Sequence, residues 1–155
     1  TFSLSGMGRT STLSCCGEPV GDEVRTERVG MWASHLAARP EVRERQKAAQ
    51  RAMGADTPLV AEGRDMGTVV FPSAAHKFFL DADPRVRAGR RAAQLTQMGK
   101  KADLEAIEAS IRARDDQDRN RAIAPLIPAP DAVVIDTSGL SLDEVFGRIM
   151  RSIRS

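Results

Sequence analysis

Two stretches of this chain carry side chains suited to chemistry on a charged ligand. The first is Glu62-Gly63-Arg64-Asp65-Met66-Gly67-Thr68, which follows the apolar run Leu59-Val60-Ala61. In α/β proteins the loops at the carboxyl ends of strands form the rim of the ligand crevice. The two glycines are expected to let the backbone turn sharply there. Between them a guanidinium and a carboxylate stand side by side, a pairing that suits a ligand with both an anion and a hydrogen-bond donor. The second stretch is Arg112-Ala113-Arg114-Asp115-Asp116-Gln117-Asp118-Arg119-Asn120-Arg121. On a helix, Arg114, Asp118 and Arg121 fall at i, i+4 and i+7 and share one face. Arg112, Asp116 and Arg119 share a neighbouring face. Two readings fit this run. It is a solvated helix surface, with Asp115 and Arg119 as an i,i+4 pair worth a few tenths of a kcal/mol. Or its arginines clamp a phosphate while the acid accepts from a sugar hydroxyl.

Other candidates carry less. Arg85, Arg87, Arg90 and Arg91 follow an apolar segment ending at Asp81, and Arg87, Arg90 and Arg91 make one helical face. Exposed basic positions account for them equally well. His35 and His76 stand alone, and Ser34 beside His35 lies in no Gly-x-Ser-x-Gly elbow. Ser3-Leu4-Ser5-Gly6-Met7-Gly8-Arg9-Thr10 mimics a phosphate loop, G-x-x-x-x-G-K-[ST], only loosely. Ser replaces the first Gly, Arg replaces the Lys, and too few residues precede it for a feeding strand.

The elements that must position these groups follow from periodicity and punctuation. Residues 1–20 read as short strands and turns. From Asp22 an apolar stripe of Val24, Val29, Trp32, Ala33 and Leu36 predicts a helix ending before Pro40. Pro40 suits the first turn of a second helix running to about Met53, which Gly54 ends. Strands are expected at Pro58–Ala61, His76–Asp81 and Ala132–Asp136. Asp83-Pro84 caps and starts a helix to about Met98, with Gly99 after it. Asp103–Arg119 reads as a polar helix. Ser141-Leu142-Asp143-Glu144 is a capping box before a last helix, Leu142–Ile153. Strands alternating with helices predict an α/β fold with a largely parallel sheet.

The totals remove several function classes. The chain has 155 residues, enough for one modest core. Its formal net charge is only +2, so no global basic field argues for nucleic acid or a membrane surface. Tyr is absent and aromatics are 4%, which weakens a base-stacking platform. No apolar run has the length of about 18 residues that a membrane-spanning helix needs. No secretory signal is expected. The two cysteines, Cys15 and Cys16, are adjacent. A vicinal pair rarely bridges and makes no metal site, so two reduced thiols on a strand and a cytoplasmic location are expected.

Read together, the motifs resemble a known family. Glu62 through Pro72, Lys77-Phe78-Phe79-Leu80-Asp81-Ala82, and Arg114 through Pro125 are similar to segments of bacterial cytidylate kinase. Val24-Arg25-Thr26-Glu27 and Pro40-Glu41-Val42-Arg43 fit the same family in the same order. The resemblance covers the chain from residue 2 onward, and the joint occurrence of the motifs makes it specific. It implies an α/β nucleoside monophosphate kinase fold of the P-loop kind, incomplete at the N-terminus. Residues 1–56 then correspond to part of a nucleotide-binding insert, 57–98 and 126–155 to core, and 99–125 to a mobile lid. The implied activity is transfer of the ATP γ-phosphoryl group to CMP or dCMP with Mg²⁺. The implied partners are those nucleotides alone, with no nucleic acid or membrane, and the implied state is a monomer. In the family a phosphate-binding loop precedes everything matched here. The chain begins with Thr1 and has no such loop, so the reading expects a carboxyl-terminal portion that is inactive alone, its Mg²⁺ carried by ATP and the missing loop. A non-catalytic nucleotide-binding module is the alternative.

The resemblance also assigns roles. Asp65 and Ser34 correspond to groups that accept from cytosine N4, and Arg43 to a donor toward the acceptor edge of the base. Arg64 corresponds to an arginine on the CMP phosphate, with Arg121 closing on it from the lid. Arg114 and Asp118 correspond to lid residues that reach the ribose and the phosphate. Arg90 and Arg91 are the candidates for the ATP phosphates. No residue reads as a metal ligand, and no general base is required, because a nucleoside monophosphate oxygen is already ionised.

Overall fold

A computed structural model describes residues 2–5, 12–21, 24, 27–37, 39–56 and 58–154. It divides into two compact units, Thr1–Ala49 and Gln50–Ser155.

In the first unit, β1 (Phe2–Ser5), β2 (Thr12–Cys15) and β3 (Glu18–Pro19) form an antiparallel sheet in that order. The link from β2 to β3 is only Cys16 and Gly17, with φ of 54° and 89°. Two positive φ values make a primed turn, whose twist matches that of the flanking strands, and glycine meets the second without a Cβ clash. Neither cysteine is in a disulfide. Cys15 ends β2, while Cys16 sits in the turn rather than on a strand. The loosely phosphate-loop-like segment has Ser3–Ser5 on β1, and Gly6–Thr10 lies outside the described residues. Two helices follow, α1 (Glu27–Ala37) and α2 (Pro40–Met53), whose last residues from Gln50 onward belong to the second unit. Pro40 opens α2, where its missing N–H leaves no bond unmade. The helix expected from Asp22 starts at Glu27, and Asp22, Glu23, Arg25 and Thr26 lie outside the described residues. Trp32 and Leu36, placed in its apolar stripe, are exposed.

The second unit is α/β. Strands β4 (Phe78–Asp81) and β5 (Val133–Asp136) pair in parallel, from Phe78 opposite Val133 to Asp81 opposite Asp136. Parallel strands need a long connection. Here it holds α3 (Pro84–Gln97) and α4 (Leu104–Asn120), which pack on each other, and α5 (Leu142–Arg154) follows β5. The helix ends obey their local signals. Asp83 accepts from Arg85 N at 2.7 Å and Pro84 takes the first position of α3. Gly99, at φ 70°, ends the helix while Lys100 N bonds Leu95 O at 2.9 Å. Asp103 caps α4 through Ala106 N at 3.1 Å. Ser141 and Glu144 form the capping box reciprocally, Glu144 N to Ser141 Oγ at 3.3 Å and Ser141 N to Glu144 Oε2 at 2.8 Å.

The strand expected at Pro58–Ala61 does not form. Those residues lack regular structure, and Leu59 and Val60 are exposed. A strand needs a neighbour for its N–H and C=O groups, and among the described residues no strand pairs with this run. An apolar run alone does not supply one. After it, Gly63-Arg64-Asp65 bends into one π-helical turn, Met66–Val70, closed by Val70 N to Asp65 O at 3.1 Å and Phe71 N to Met66 O at 2.7 Å. Neither Gly63 nor Gly67 adopts a positive φ, so the bend does not use their left-handed freedom. Gly63 instead gives room, because a Cβ there would stand 3.0 Å from the Met66 side chain. Arg51, in the last turn of α2, donates to Val70 O at 2.7 Å and to Val69 O at 2.8 Å and pins the turn.

Among the described residues the buried apolar set is Val70, Ala82, Ala88, Ala129 and Ile135. Asp65, Asp115, Asp118 and Thr137 are buried with them. A small core holding three carboxylates must supply each with donors or a counter-charge.

Candidate functional site

Asp118 lies in the last full turn of α4 and is only 5% exposed. Three guanidinium groups surround it. Arg64, from the bend before the π turn and 54 residues away in sequence, donates from Nε to Asp118 Oδ2. Arg114, one turn earlier on α4, stands 3.9 Å from the same oxygen. Arg121, the first residue beyond α4, stands 3.5 Å from Oδ1. The helical spacing read from the sequence explains the Arg114–Asp118 pair directly. Arg121 needs more. The chain folds back after α4, with Leu126 N bonded to Asp118 O at 2.8 Å and Ala124 at φ 51°, and Arg121 Nε donates to Ala124 O. The left-handed alanine thus offers its carbonyl to Arg121 and fixes its direction, at the modest cost such a conformation carries.

Charge distinguishes this cluster from an ordinary buried ion pair. Three guanidinium groups against one carboxylate leave a surplus of two positive charges. The carboxylate is buried, whereas the arginines keep water access. That arrangement binds an anion readily, since guanidinium forks match carboxylate and phosphate geometry.

A second acid on α4 is matched one to one. Asp115 receives both terminal nitrogens of Arg87 on α3, Nη1 to Oδ1 at 3.1 Å and Nη2 to Oδ2. Arg87 Nε donates to Ala82 O at 3.0 Å, so all three edges of the fork are engaged. The hydrogen bond from Arg87 outweighs desolvation and holds the Asp115 carboxyl below the ordinary carboxylate range, with further help from the charges of Arg87, Arg119 and Arg64. The expected i,i+4 partner Arg119 acts on Asp115 only through its field, and its closest acid is Asp81 at 4.0 Å. Arg112 pairs with Glu108 at 2.7 Å rather than with Asp116.

Comparison with known proteins decides the family. The cytidylate kinase family model matches residues 5–155. This chain belongs to the cytidylate kinase family. It is 61% identical over 154 residues to the cytidylate kinase of Nitratidesulfovibrio vulgaris strain Hildenborough, covering 99% of this chain and 66% of that protein. It is 58% identical over 149 residues to that of Maridesulfovibrio salexigens, covering 96% and 67%. Against that of Serratia proteamaculans it is 52% identical over 134 residues, covering 86% and 58%. The chain therefore spans about two thirds of the length of the first two of these relatives.

Of the residues that the cytidylate kinase resemblance singled out, the second unit brings Arg64, Arg114, Asp118 and Arg121 together. Asp65 is buried beside Arg64, and its backbone oxygen anchors the π turn. Arg90 is held at the end of β5, with Nη2 on Thr137 O at 2.5 Å and Nη1 on Thr137 Oγ1 at 3.2 Å. Arg91 donates to Gln94 at 2.7 Å. The single basic face expected for Arg87, Arg90 and Arg91 is therefore divided among α4, β5 and α3 itself. Ser34 on α1 and half-buried Arg43 on α2 belong to the first unit. Sequence reasoning missed Arg87 with Asp115, Arg51 and Ala124. The only signal for the first pair was an aspartate adjoining Arg114 on a helix and an arginine on the helix before it. Among the described residues no group of three His, Cys, Asp or Glu side chains could hold a metal ion.

Proposed function

We propose that this chain carries the acceptor-nucleotide and lid portions of a cytidylate kinase, which transfers the γ-phosphoryl group of ATP to CMP or dCMP and forms CDP or dCDP. The surplus of two positive charges around Asp118 is the observation that carries the reading. A phosphate monoester has about −1.5 to −2 charges at neutral pH and would balance it. Residues 1–56 serve as the insert, 57–98 and 126–155 as core, and 99–125 as lid. Arg64 and Arg121 hold the CMP phosphate, and Arg114 and Asp118 reach ribose and phosphate. Asp65 and Ser34 accept from cytosine N4, while Arg43 donates to the acceptor edge of the base. Arg90 and Arg91 approach the ATP phosphates, Arg90 giving up its bonds to Thr137. The setting is the cytoplasm and the state a monomer, without nucleic acid or membrane; among the described residues no helix is long and apolar enough to cross one.

The chemistry asks little covalent work of these residues. An ionised oxygen of CMP attacks the γ-phosphorus while the bond to the ADP oxygen breaks, so no side chain need remove a proton. What the arginines supply is position and charge neutralisation. Before CMP arrives, Asp118 keeps three mutually repelling cations in one place, so the site is assembled in advance. A second reading, binding without transfer, is favoured by one sequence observation: the 155 residues contain no G-x-x-x-x-G-K-[ST] loop.

Calorimetric titration of CMP into the chain, followed by a coupled ADP-release assay with ATP and Mg²⁺, tests both readings. CMP should bind, and Arg64→Ala should weaken it about tenfold or more, as loss of a charge-assisted hydrogen bond does. No binding would sink the nucleotide reading. Expected turnover by these 155 residues is nil, and clear turnover would eliminate the binding-only alternative.

A further inference from the structure

Asp115 and Asp118 stand one helical turn apart on α4. Asp118 can gather Arg64 only if α4 presents that face to the bend at residues 63–65. Half-buried Ile107 and Ile111 share that face, and Arg85 on α3 stands 3.7 Å from Glu108 on α4. The contact one turn from Asp118 is the Arg87 fork. Two of its nitrogens hold Asp115 and the third holds Ala82 O, at the buried turn between β4 and α3. One guanidinium thereby joins three elements: the end of β4, α3 and α4. Ala88, beside Arg87, is fully buried, so α3 is itself seated. A planar fork with all its edges engaged resists rotation, whereas a single-point contact would not. Arg64 also contributes to the field at Asp115, so the two acids share one electrostatic neighbourhood.

We propose that Arg87 and Asp115 are a positioning pair for the acceptor phosphate site: they fix the rotation of α4 on α3 so that Asp118 meets Arg64 and keeps Arg114 and Arg121 beside it. Neither residue touches the nucleotide. The proposal rests on reading the Asp118 cluster as the phosphate site, and it adds residues that bear on CMP affinity from outside that site.

The test uses the whole chain and two measurements. Nuclear magnetic resonance follows hydrogen exchange at Arg64 Nε without any nucleotide, and calorimetry follows CMP affinity. Circular dichroism confirms that each variant keeps its helices. Asp115→Asn should speed Arg64 Nε exchange about tenfold and weaken CMP by a similar factor, the scale of one charge-assisted hydrogen bond. Arg87→Lys keeps the charge without the fork and should recover only part of both. The exchanged pair Arg87→Asp with Asp115→Arg should restore more than either change alone. If Asp115→Asn keeps its helices with exchange and affinity unchanged, the proposal is wrong. If that variant does not fold, Arg87→Lys decides, and unchanged exchange there is equally fatal. An unaltered chain that binds no CMP would count against the nucleotide reading alone, and the exchange rates would still judge the positioning pair.

Discussion

The two ends of charge design in this molecule lie one turn apart on the same helix. At Asp115 one acid meets one arginine, and all three edges of that arginine's fork are used. At Asp118 one acid meets three arginines, none of which it can saturate. The first arrangement is closed, since adding an anion there would only compete. The second is open, since one carboxylate cannot balance three guanidinium groups that keep water access. Buried carboxylates can therefore serve opposite purposes in one element, and the count of partners distinguishes them better than burial does. Both acids are nearly equally buried, at 7% and 5% exposed.

That contrast can be broken most forcefully by removing the closed pair. Asp115→Ala leaves the Arg87 guanidinium without its partner at a half-buried position. Losing one member of a fully buried pair costs about 3–5 kcal/mol, and with the Arg87 side chain 30% exposed the expectation falls to about 2 kcal/mol. Urea denaturation measures it. Inorganic phosphate should stabilise Asp115→Ala no more than it stabilises the unaltered chain, whereas it should stabilise Asp118→Ala more, because there three arginines are left without a carboxylate. Equal rescue of both would erase the distinction.

Acid sharpens the comparison with a smaller effect. Arg87 depresses the Asp115 pKa, so the folded chain binds fewer protons there than the unfolded chain. The stabilisation is complete above the ordinary aspartate value of about 4 and is lost as pH falls through the depressed folded value. Asp131, held down by Lys77, and Asp136, held down by Ser138, act in the same direction. The informative quantity is therefore the stability gap between the unaltered chain and Asp115→Asn, which should narrow as pH drops from 6 to 3. A constant gap would mean that the pair contributes by packing alone.

The smallest expected effect lies on the open side. Arg114 is 59% exposed and 3.9 Å from Asp118, so Arg114→Ala should change stability by less than about 0.5 kcal/mol. CMP affinity should nonetheless fall about tenfold. A stability loss above 1 kcal/mol would place Arg114 with the closed pair instead.

What the sequence made legible was local. Asp83-Pro84, Gly99 and the Ser141–Glu144 box set the ends of α3 and α5 within a residue or two, because caps are short-range chemistry. The pairing of Arg114 with Asp118 was legible because helical spacing is periodic, whereas Arg121, just beyond α4, reaches Asp118 through the fold-back at Ala124 and not through the helical face expected of it. Pro58–Ala61 was misread because a strand exists only with a neighbour, and apolar character says nothing about where that neighbour is. Asp115 was assigned to Arg119, four residues away, while its true partner Arg87 lies 28 residues back. Local pairing is always visible in a sequence, and a tertiary competitor with a better fork is not.

The π turn at Met66–Val70 carries a consequence for insertions and deletions. Its i to i+5 bonds accommodate one residue more than an α-turn does. Deleting a single residue from Gly67–Val69 would let the segment close as an ordinary α-helical turn, with its composition nearly intact. A π turn and an α-turn one residue shorter both carry the chain about once around, so Val70 N could still bond Asp65 O. Asp65 and Arg64 would then keep nearly their direction relative to Val70, whose carbonyl Arg51 holds. Arg64 would stay within reach of Asp118. The turn thus stores one residue of slack, and a deletion scan should find a single loss tolerated here and a second one not.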